Sequence, residues 1–280
     1  MYKVPYPSIN CKGKLIEFSS PKIMGILNLT PDSFYDGGKF TSEKNILLHV
    51  EKMINDGVDI IDLGAASTRP GADILSPKEE IKRIEKALIP IIRHFPEAIL
   101  SIDTYQSEVA RYAIEQGGAI INDVSGGQMD SKMFSTIAEL QVPYMLMHMK
   151  GTPVSMQLLT DYTHLLDDIV YFFSEKITKL HALGVNDIII DPGFGFAKTV
   201  DQNYDLLKKL NALTVFDLPI LVGLSRKSML YKFLDIESKE ALNATSITNF
   251  YALQNGANIL RVHDVKEAKE CIQLFQKLKD

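Results

Sequence analysis

Short apolar runs alternate along this chain with longer stretches of helical periodicity. Eight of these runs are rich in Ile, Leu, Val and Met and lack polar alternation, which is typical of parallel strands buried on both faces. A run of this kind predicts a strand of a parallel sheet. The eight predicted strands are 22–27, 59–64, 98–102, 119–121, 144–147, 187–190, 219–224 and 257–260.

The stretches between the runs predict helices with recognisable beginnings and ends. Thr41 or Ser42 can cap a helix that Gly57 ends, and the segment Ser76-Pro77-Lys78-Glu79 is a capping-box start with Pro at the first helical position. Ser107 begins a third helix. Further helices are predicted at 131–140, 164–183, 201–213, 239–255 and 265–279, and a hairpin is predicted around Lys12-Gly13.

Eight strand–helix units follow one another without a linker or a low-complexity segment, and the chain length of 280 residues suits one α/β barrel. We therefore predict a single (β/α)8 TIM barrel over residues 21–280, preceded by an N-terminal lead-in over residues 1–20. An open, doubly wound sheet is the alternative fold, but such a sheet needs no polar group at the end of every strand.

Polar residues stand where each predicted strand ends, which is where a parallel barrel assembles its active site. Two connections, 29–40 and 65–76, are longer than ordinary βα loops and are expected to act as lids or binding loops. This placement predicts an enzyme. The strand-end residues are Asn28, Ser67-Thr68-Arg69, Asp103, Asn122, His148, Asp191, Ser225-Arg226-Lys227, and Arg261 with His263.

Composition narrows the class of protein further. A net charge of −5 argues against non-specific nucleic-acid binding, although Arg69, Lys227, Arg261 and His263 could form a local anion pocket. Two cysteines far apart in the chain predict neither a disulfide framework nor a zinc site. There is no apolar signal core, no run of transmembrane length, and no Walker A, GxGxxG, HExxH or GxSxG motif. We expect a cytoplasmic protein with no membrane or nucleic-acid partner.

The strand-end segments, taken in order, resemble those of the dihydropteroate synthase family. The resemblance extends from about Met24 to Val265, and one departure is Ala65-Ala66, where the family more often has Gly and an acidic residue. The motifs that carry it are NLTPDSF (28–34), STRPGA (67–72), DPGFGF (191–196), SRKS (225–228) and RVHDV (261–265).

The resemblance implies condensation of 6-hydroxymethyl-7,8-dihydropterin diphosphate with 4-aminobenzoate, assisted by Mg²⁺. A diphosphate needs cations and hydrogen-bond donors where negative charge grows, and Arg261, His263 and Thr68 supply such groups. Asn28 offers a neutral amide oxygen, a plausible hard ligand for Mg²⁺ and a further diphosphate contact. The competing interpretation of Asn28 is a turn residue before Thr30-Pro31.

A pterin presents hydrogen-bond donors and ring acceptors, so its pocket should contain a carboxylate and an amide. Asp191, Asn122 and Lys227 suit this recognition, and Asp103 would stabilise the positive charge that develops as diphosphate leaves. Helix capping is the competing role of the two Asp residues. The expected pterin contacts are Asp103, Asn122, Met147, Asp191, Phe196, Gly223 and Lys227, and the expected catalytic residues are Asp103, Lys227, Arg261 and His263.

The aminobenzoate site is expected on the two long loops and beside the SRKS motif. Phe34 and Pro70 would clamp the benzene ring, and Ser228 with the helix that begins there would bind the carboxylate. The expected contacts are Phe34, Thr68, Pro70, Lys227 and Ser228.

Two other functions share parts of these motifs. A methyltetrahydrofolate:corrinoid methyltransferase domain of the same barrel type would use the Asp and Asn pterin contacts without needing STRPGA, SRKS and RVH. A non-catalytic pterin-binding barrel has no reason to keep the complete set of charged strand ends. By analogy with the family, the chain is also expected to form a homodimer.

Overall fold

The computed structural model describes residues 7–29, 43–66, 75–152 and 155–279. Its described elements follow the predicted βα alternation. The strands are β1 (Ser8–Cys11), β2 (Lys14–Glu17), β3 (Lys22–Asn28), β4 (Ile60–Gly64), β5 (Leu100–Asp103), β6 (Ile120–Asp123), β7 (Tyr144–Met147), β8 (Ile188–Asp191), β9 (Leu221–Val222) and β10 (Ile259–Val262). The α-helices are α1 (Glu43–Asn55), α2 (Pro77–His94), α3 (Ser107–Glu115), α4 (Met133–Leu140), α5 (Leu165–Ala182), α6 (Val200–Lys208), α7 (Ser228–Leu234), α8 (Leu242–Gln254) and α9 (Val265–Lys279).

Strands β3 to β10 form one parallel sheet that closes into a barrel. The strand order is β8-β7-β6-β5-β4-β3-β10-β9. A parallel bridge joins Ile190 to Ile220, and the Ile190 amide donates to Pro219 O at 2.9 Å, which connects β8 to the start of β9. The predicted barrel is confirmed, and the open sheet is wrong.

Each barrel strand alternates between two apolar environments, which explains why the sequence shows no polar alternation. One set of side chains faces the surrounding helices and belongs to the main core. The other set faces the barrel interior, and at its amino-terminal end it forms a second apolar cluster. The strand residues of this floor are Met24, Ile60, Ile120, Met145, Ile189, Leu221 and Ile259.

The N-terminal hairpin covers this floor. Lys12 (φ 52°) and Gly13 (φ 75°) form the two-residue turn, in which both residues have positive φ as a type I′ turn requires. Ile9, Cys11 and Phe18 are buried against the floor residues. The Asn10 amide donates to Asp187 Oδ1 at 2.7 Å, which ties the hairpin to the chain just before β8. The hairpin prediction is confirmed, and residues of the lead-in share the core of the barrel.

Several element boundaries differ from the predictions by one or two residues, and three differ more clearly. The helix predicted at 201–213 ends at Lys208 and continues as a 3-10 helix, Leu210–Phe216, in a stretch containing Asn, Thr and Val, which have lower helix propensity. The helix predicted at 239–255 begins at Leu242, after the 3-10 helix Ser238–Glu240. Strand β9 contains only two residues, Leu221–Val222, of the predicted run 219–224. In the described ranges no helix is long and apolar enough to cross a membrane.

Candidate active site

The upper half of the barrel interior is polar, in contrast to its floor. Register places Asn28 beside Gly64, Gly64 beside Asp103, and Asp103 beside Asn122. Laterally paired residues of parallel strands point to the same side of the sheet. Three of these four neighbouring strands therefore bring a predicted strand-end residue to one edge of the barrel: Asn28, Asp103 and Asn122. On the β7 and β8 side, Met147 is paired with Asp191.

The side chain of Arg261 binds two carboxylates of the barrel interior, one on β4 and one on β5. Its Nε donates to Asp62 Oδ2 at 2.7 Å, and its Nη2 donates to Asp103 Oδ2 at 2.8 Å. Asp62 Oδ2 also accepts from Asn122 Nδ2 at 3.0 Å. Burial opposes the charged guanidinium, but Asp62 and Asp103 outweigh it and raise the pKa of Arg261 above its ordinary value. The guanidinium therefore stays charged and is held in one orientation.

Asp62 is the functional residue that the sequence reasoning missed. It stands in the middle of the apolar run 59–64, two residues before the strand ends, and is 1% exposed. A fully buried Asp is rare unless it is paired. The available signal was a charged residue at the centre of a buried strand, where we examined only strand ends.

Asp103 is a carboxyl group that titrates near neutrality. Burial raises its pKa to about 7, the guanidinium of Arg261 opposes this shift, and the nearby carboxyls of Asp62 and Glu80 add to it. An acid whose pKa lies near the working pH can change its protonation state during a reaction.

Asp191 and Lys227 lie on the other side of the interior. Asp191 Oδ1 accepts from the Gly193 amide at 2.7 Å, and burial raises the pKa of its carboxyl. Lys227 donates to Phe194 O. Burial lowers the pKa of Lys227 to about 8, against the effect of Asp191. We use the term polar cluster for the set that these contacts and charges connect: Asp62, Asp103, Asn122, Asp191, Lys227 and Arg261.

An apolar wall borders the polar cluster. Met147 is buried in a group that includes Tyr105, Met149 and Met156, and Phe196 packs against this group. Lys227 Nζ lies 4.6 Å from the centroid of the Phe196 ring, within cation–π range. Carboxylates, an amide and an ammonium beside an apolar wall suit a flat heteroaromatic ring with polar edges.

His263 lies beside Arg261 but does not supply positive charge to the proposed anion pocket. Its Nδ1 is 3.0 Å from Ser225 Oγ. Burial, followed by the charge of Arg261, lowers the pKa of His263 to about 4, so its imidazole is neutral at pH 7. Among the described residues, Arg261 and Lys227 supply the positive charge of this part of the site, and His263 offers a neutral nitrogen.

The remaining predicted residues have different placements. Gly223 is buried, and a Cβ built on it would lie 4.0 Å from Lys227 Nζ, so this glycine leaves the space beside the ammonium open. Ser228 is half-buried at the first position of α7, with Lys227 at the N-cap. Phe34, Thr68 and Pro70, together with Ser67 and Arg69, lie outside the described residues.

Two strand-end residues, Arg226 and His148, make their polar contacts outside the polar cluster. Arg226 (φ 53°) donates to both oxygens of Asp264, at 2.8 and 2.9 Å, and to two carbonyls of the 3-10 helix Ser238–Glu240. It is 8% exposed and joins the loops that follow β9 and β10. His148 Nδ1 lies 3.1 Å from Nζ of Lys198, a residue of the loop that follows β8.

Comparisons with known proteins agree with this geometry. Residues 24–263 match the family described as pterin binding enzyme. A dihydropteroate synthase of Streptococcus pyogenes serotype M3 is 41% identical over 273 residues, which cover 95% of this chain and 98% of the relative. The dihydropteroate synthase of Yersinia pestis, solved with a sulfonamide drug complex, has a TM-score of 0.93 at 37% identity and covers 97% of this chain and 99% of that one. The Xanthomonas albilineans dihydropteroate synthase, solved with 4-aminobenzoic acid, has a TM-score of 0.89 at 32% identity, with 98% of each chain covered.

The chain therefore belongs to the family of pterin binding enzymes. Its relatives over nearly the whole length are dihydropteroate synthases, which are transferases of folate biosynthesis. The family resemblance inferred from the strand-end motifs is confirmed.

Proposed function

We propose that this chain is a dihydropteroate synthase that condenses 6-hydroxymethyl-7,8-dihydropterin diphosphate with 4-aminobenzoate, giving 7,8-dihydropteroate and pyrophosphate. The observation that carries the proposal is the polar cluster beside the apolar wall of Met147 and Phe196, with Arg261 at its edge. The Xanthomonas albilineans relative solved with 4-aminobenzoic acid supports the second substrate.

Pterin recognition follows from the hydrogen-bonding capacity of the cluster. Asp191 accepts from the 2-amino and ring N–H groups, and Asn122 both donates and accepts. Lys227 donates to the oxo or ring-nitrogen side. Met147 and Phe196 cover the faces of the ring, which buries the apolar part of the pterin.

The chemical step is a substitution at the methylene carbon of the pterin. Its bond to the diphosphate oxygen breaks, and the bonding electrons leave with pyrophosphate. The amine nitrogen of 4-aminobenzoate then forms the new C–N bond and loses a proton. We propose a dissociative order because the motifs supply no activated Cys or Ser nucleophile, and the pterin ring can spread the cationic charge.

The residues around the methylene stabilise this charge separation. Asp103, as a carboxylate, lies on the side where positive charge develops, and Arg261 faces the departing diphosphate. The neutral imidazole of His263 faces the oxygens of the same diphosphate. The Arg261 fork matches phosphate oxygens and is already oriented by Asp62.

Asn28 is the residue that would hold Mg²⁺. A Cβ built on Gly64 would lie 3.4 Å from Asn28 Oδ1, so glycine at this position leaves the amide oxygen room on the interior side. Within the described ranges no group of three or more His, Cys, Asp or Glu could form an all-protein metal cage. A single amide oxygen with phosphate oxygens and waters fits a cation that keeps most of its hydration. When bound, Mg²⁺ neutralises charge on the leaving diphosphate.

We also propose that the chain forms a homodimer and works in the cytoplasm. Exposed apolar side chains on α8 and α9 support the first proposal: Ile247, Tyr251, Leu274 and Leu278. Two free, buried cysteines are compatible with a reducing compartment. Light scattering during size exclusion measures the first, and cell fractionation measures the second.

A turnover assay tests the function. Purified protein with both substrates and Mg²⁺ is expected to release pyrophosphate and form dihydropteroate in equal amounts, and an Asp191→Asn variant serves as the impaired control. Absence of pyrophosphate release overturns the proposal. Methyl transfer from methyltetrahydrofolate to a corrinoid would support the methyltransferase alternative, and pterin binding without either reaction would support the non-catalytic barrel.

A further inference from the structure

The loop that connects β8 to α6 contains a buried lysine. Lys198 is 6% exposed. Its Nζ lies 3.0 Å from Gly193 O, 3.0 Å from Phe196 O and 3.1 Å from His148 Nδ1. An ammonium group has three N–H donors and no acceptor. All three donors of Lys198 therefore have an acceptor, and the buried charge is satisfied by two backbone carbonyls and an imidazole nitrogen.

His148 is the acceptor in this arrangement. Burial, followed by the charge of Lys198, lowers the pKa of His148 well below its ordinary value, so its imidazole is neutral. With Nδ1 facing an ammonium, the ring proton belongs on Nε2. The His148 ring is held by an edge contact to Phe172, with the ring centroids 5.0 Å apart.

The backbone of this loop has little room for a different path. Gly193 has φ +70°, and a Cβ built on it would lie 2.1 Å from His148 O. The Gly193 amide donates to Asp191 Oδ1, while the Gly193 carbonyl accepts from Lys198. The same peptide segment thus carries Asp191 at one end and Phe196 at the other, with one ammonium binding the backbone of both halves.

We propose that Lys198, together with His148, is a positioning residue for pterin binding, which it promotes by holding Asp191 and Phe196 at their required separation without touching the substrate. This inference rests on the proposed function, because Asp191 and Phe196 are its pterin contacts. Without the ammonium, Phe196 O would lose the donor that the structure shows for it, and Gly193 O would keep only the Phe196 amide, 3.1 Å away. The loop would then rearrange to hydrate these carbonyls.

The charges around Lys198 add a pH readout. Burial lowers its pKa to about 7, Asp191 on β8 opposes this shift, and Lys227 and Lys150 reinforce it. Lys150 is itself paired with Asp168 of α5, 3.4 Å away. A neutral amine has two N–H donors for three acceptors, so pterin affinity should fall as pH rises through about 7. Because other groups of the site also titrate, the relevant quantity is the part of this dependence that disappears in Lys198→Met.

The experiment compares four variants with the wild type: Lys198→Met, His148→Leu, His148→Asn and Lys150→Met. The affinity for 6-hydroxymethylpterin is measured by calorimetry, and kcat and both KM values are measured by turnover. Lys198→Met is expected to raise the pterin dissociation constant and the KM for the pterin substrate about ten-fold or more, the effect of one unpaired buried carbonyl. The KM for 4-aminobenzoate and kcat should stay near wild type, since the loss is in ground-state binding of one substrate.

The two His148 variants and Lys150→Met are the controls. His148→Asn keeps an acceptor oxygen near the position of Nδ1 and should stay within about three-fold of wild type, whereas His148→Leu should resemble Lys198→Met. Lys150→Met removes an ammonium that donates to Asp161 O and Asp168, and it leaves the three acceptors of Lys198 in place. At a pH well below the pKa of Lys198, where Lys198 is charged with or without Lys150, the pterin affinity of this variant should be unchanged.

Three outcomes overturn the inference. These are wild-type pterin affinity in Lys198→Met, equal losses for both substrates and kcat, or no difference between the two His148 variants. The His148 comparison decides the matter if Lys198→Met does not fold. If the wild type itself neither binds the pterin nor releases pyrophosphate, the proposed function fails instead, so the two failures are distinguishable.

Discussion

Arg261 and Asp62 are 199 residues apart in the chain, yet Arg261 Nε lies 2.7 Å from Asp62 Oδ2. The same carboxylate oxygen accepts from Asn122, so one buried atom joins β4, β6 and β10. Asp62 Oδ1 is buried without a hydrogen-bond partner in the described part of the chain, as is Ser101 Oγ at the paired position on β5. Next to the Arg261–Asp62 pair, the barrel interior therefore contains polar side-chain atoms of β4 and β5.

The first prediction concerns Asp62→Ala. Among the described residues, the substitution leaves Asp103 as the one carboxylate that holds Arg261. Breaking a buried ion pair costs about 3 kcal/mol or more of unfolding free energy. Displacement of the guanidinium should lower kcat/KM for the pterin substrate about 100-fold. Denaturant unfolding and initial rates measure the two effects.

Its control is Glu139→Gln, which removes the negative charge that pairs with Arg111 in an ion pair whose side chains are 41% and 61% exposed. This variant should lose less than about 1 kcal/mol and keep its activity. Equal behaviour of the two variants would show that Asp62 does not orient Arg261.

The second prediction concerns Asp191→Asn. An amide N–H₂ would then face the pterin donors, and an unpaired buried group costs roughly 1–3 kcal/mol of binding free energy. Calorimetry with a pterin analogue should show weakened binding, while the melting temperature changes little. Unchanged affinity would remove Asp191 from the pocket.

The third prediction compares two glycines with positive φ. Gly193→Ala places a Cβ 2.1 Å from a backbone carbonyl and should abolish measurable pterin binding, because the loop must move. Gly184 (φ +83°) has nothing within 4 Å of the corresponding position, so Gly184→Ala should cost only the backbone strain of about 1–2 kcal/mol. Thermal unfolding and pterin titration separate the cases. Normal pterin binding in Gly193→Ala would show that this loop does not shape the pocket.

The fourth prediction concerns pH. The pKa of His263 is lowered from 6.5 to about 4, chiefly by burial, so below pH 6.5 the unfolded chain binds a proton that the folded protein does not. His263 therefore costs stability as pH falls from about 6.5 to about 4. Relative to wild type, His263→Gln should become more stable over this range, as measured by denaturant unfolding at several pH values.

Asp103 provides the opposite control. Burial raises its pKa from 3.8 to about 7, so between these values the folded protein binds a proton that the unfolded chain lacks, and acid adds stability. Asp103→Asn should accordingly lose stability relative to wild type as pH falls from about 7 to about 4. Differences that are independent of pH in both variants would contradict these assignments.

The fifth prediction concerns the two long loops, residues 29–40 and 65–76. They are rich in Gly, Ser, Thr and Asp, with little apolar content to hold Phe34 over Pro70 unaided. Binding of diphosphate and Mg²⁺ at Asn28 and Thr68 should offset the cost of ordering and create the aminobenzoate site. A sulfonamide titrated into apo protein should bind more weakly than into protein saturated with pterin, pyrophosphate and Mg²⁺. Equal affinities would rule out this coupling.

Most of the fold was predictable because its signals are local. Buried parallel strands, an N-cap at Ser76 and a turn at Lys12-Gly13 each depend on a few consecutive residues. The same reason explains why four strand-end residues were predicted: Asp103, Asn122, Asp191 and Arg261. A polar residue at the end of an apolar run can be recognised in the amino-acid sequence alone. The length of β9 was less predictable, because the apolar run 219–224 does not show which of its residues pair with the neighbouring strands.

The sequence by itself determined the order of the elements, the family and the strand-end side chains that face the centre. Only the tertiary structure decided that Asp62 orients Arg261, that His263 is neutral, that Arg226 binds Asp264, and that Lys198 binds the loop carrying Asp191. These relationships depend on lateral register and burial after barrel closure. Closure brings together residues that are distant in the chain, and removal from water then sets their charge and their partners.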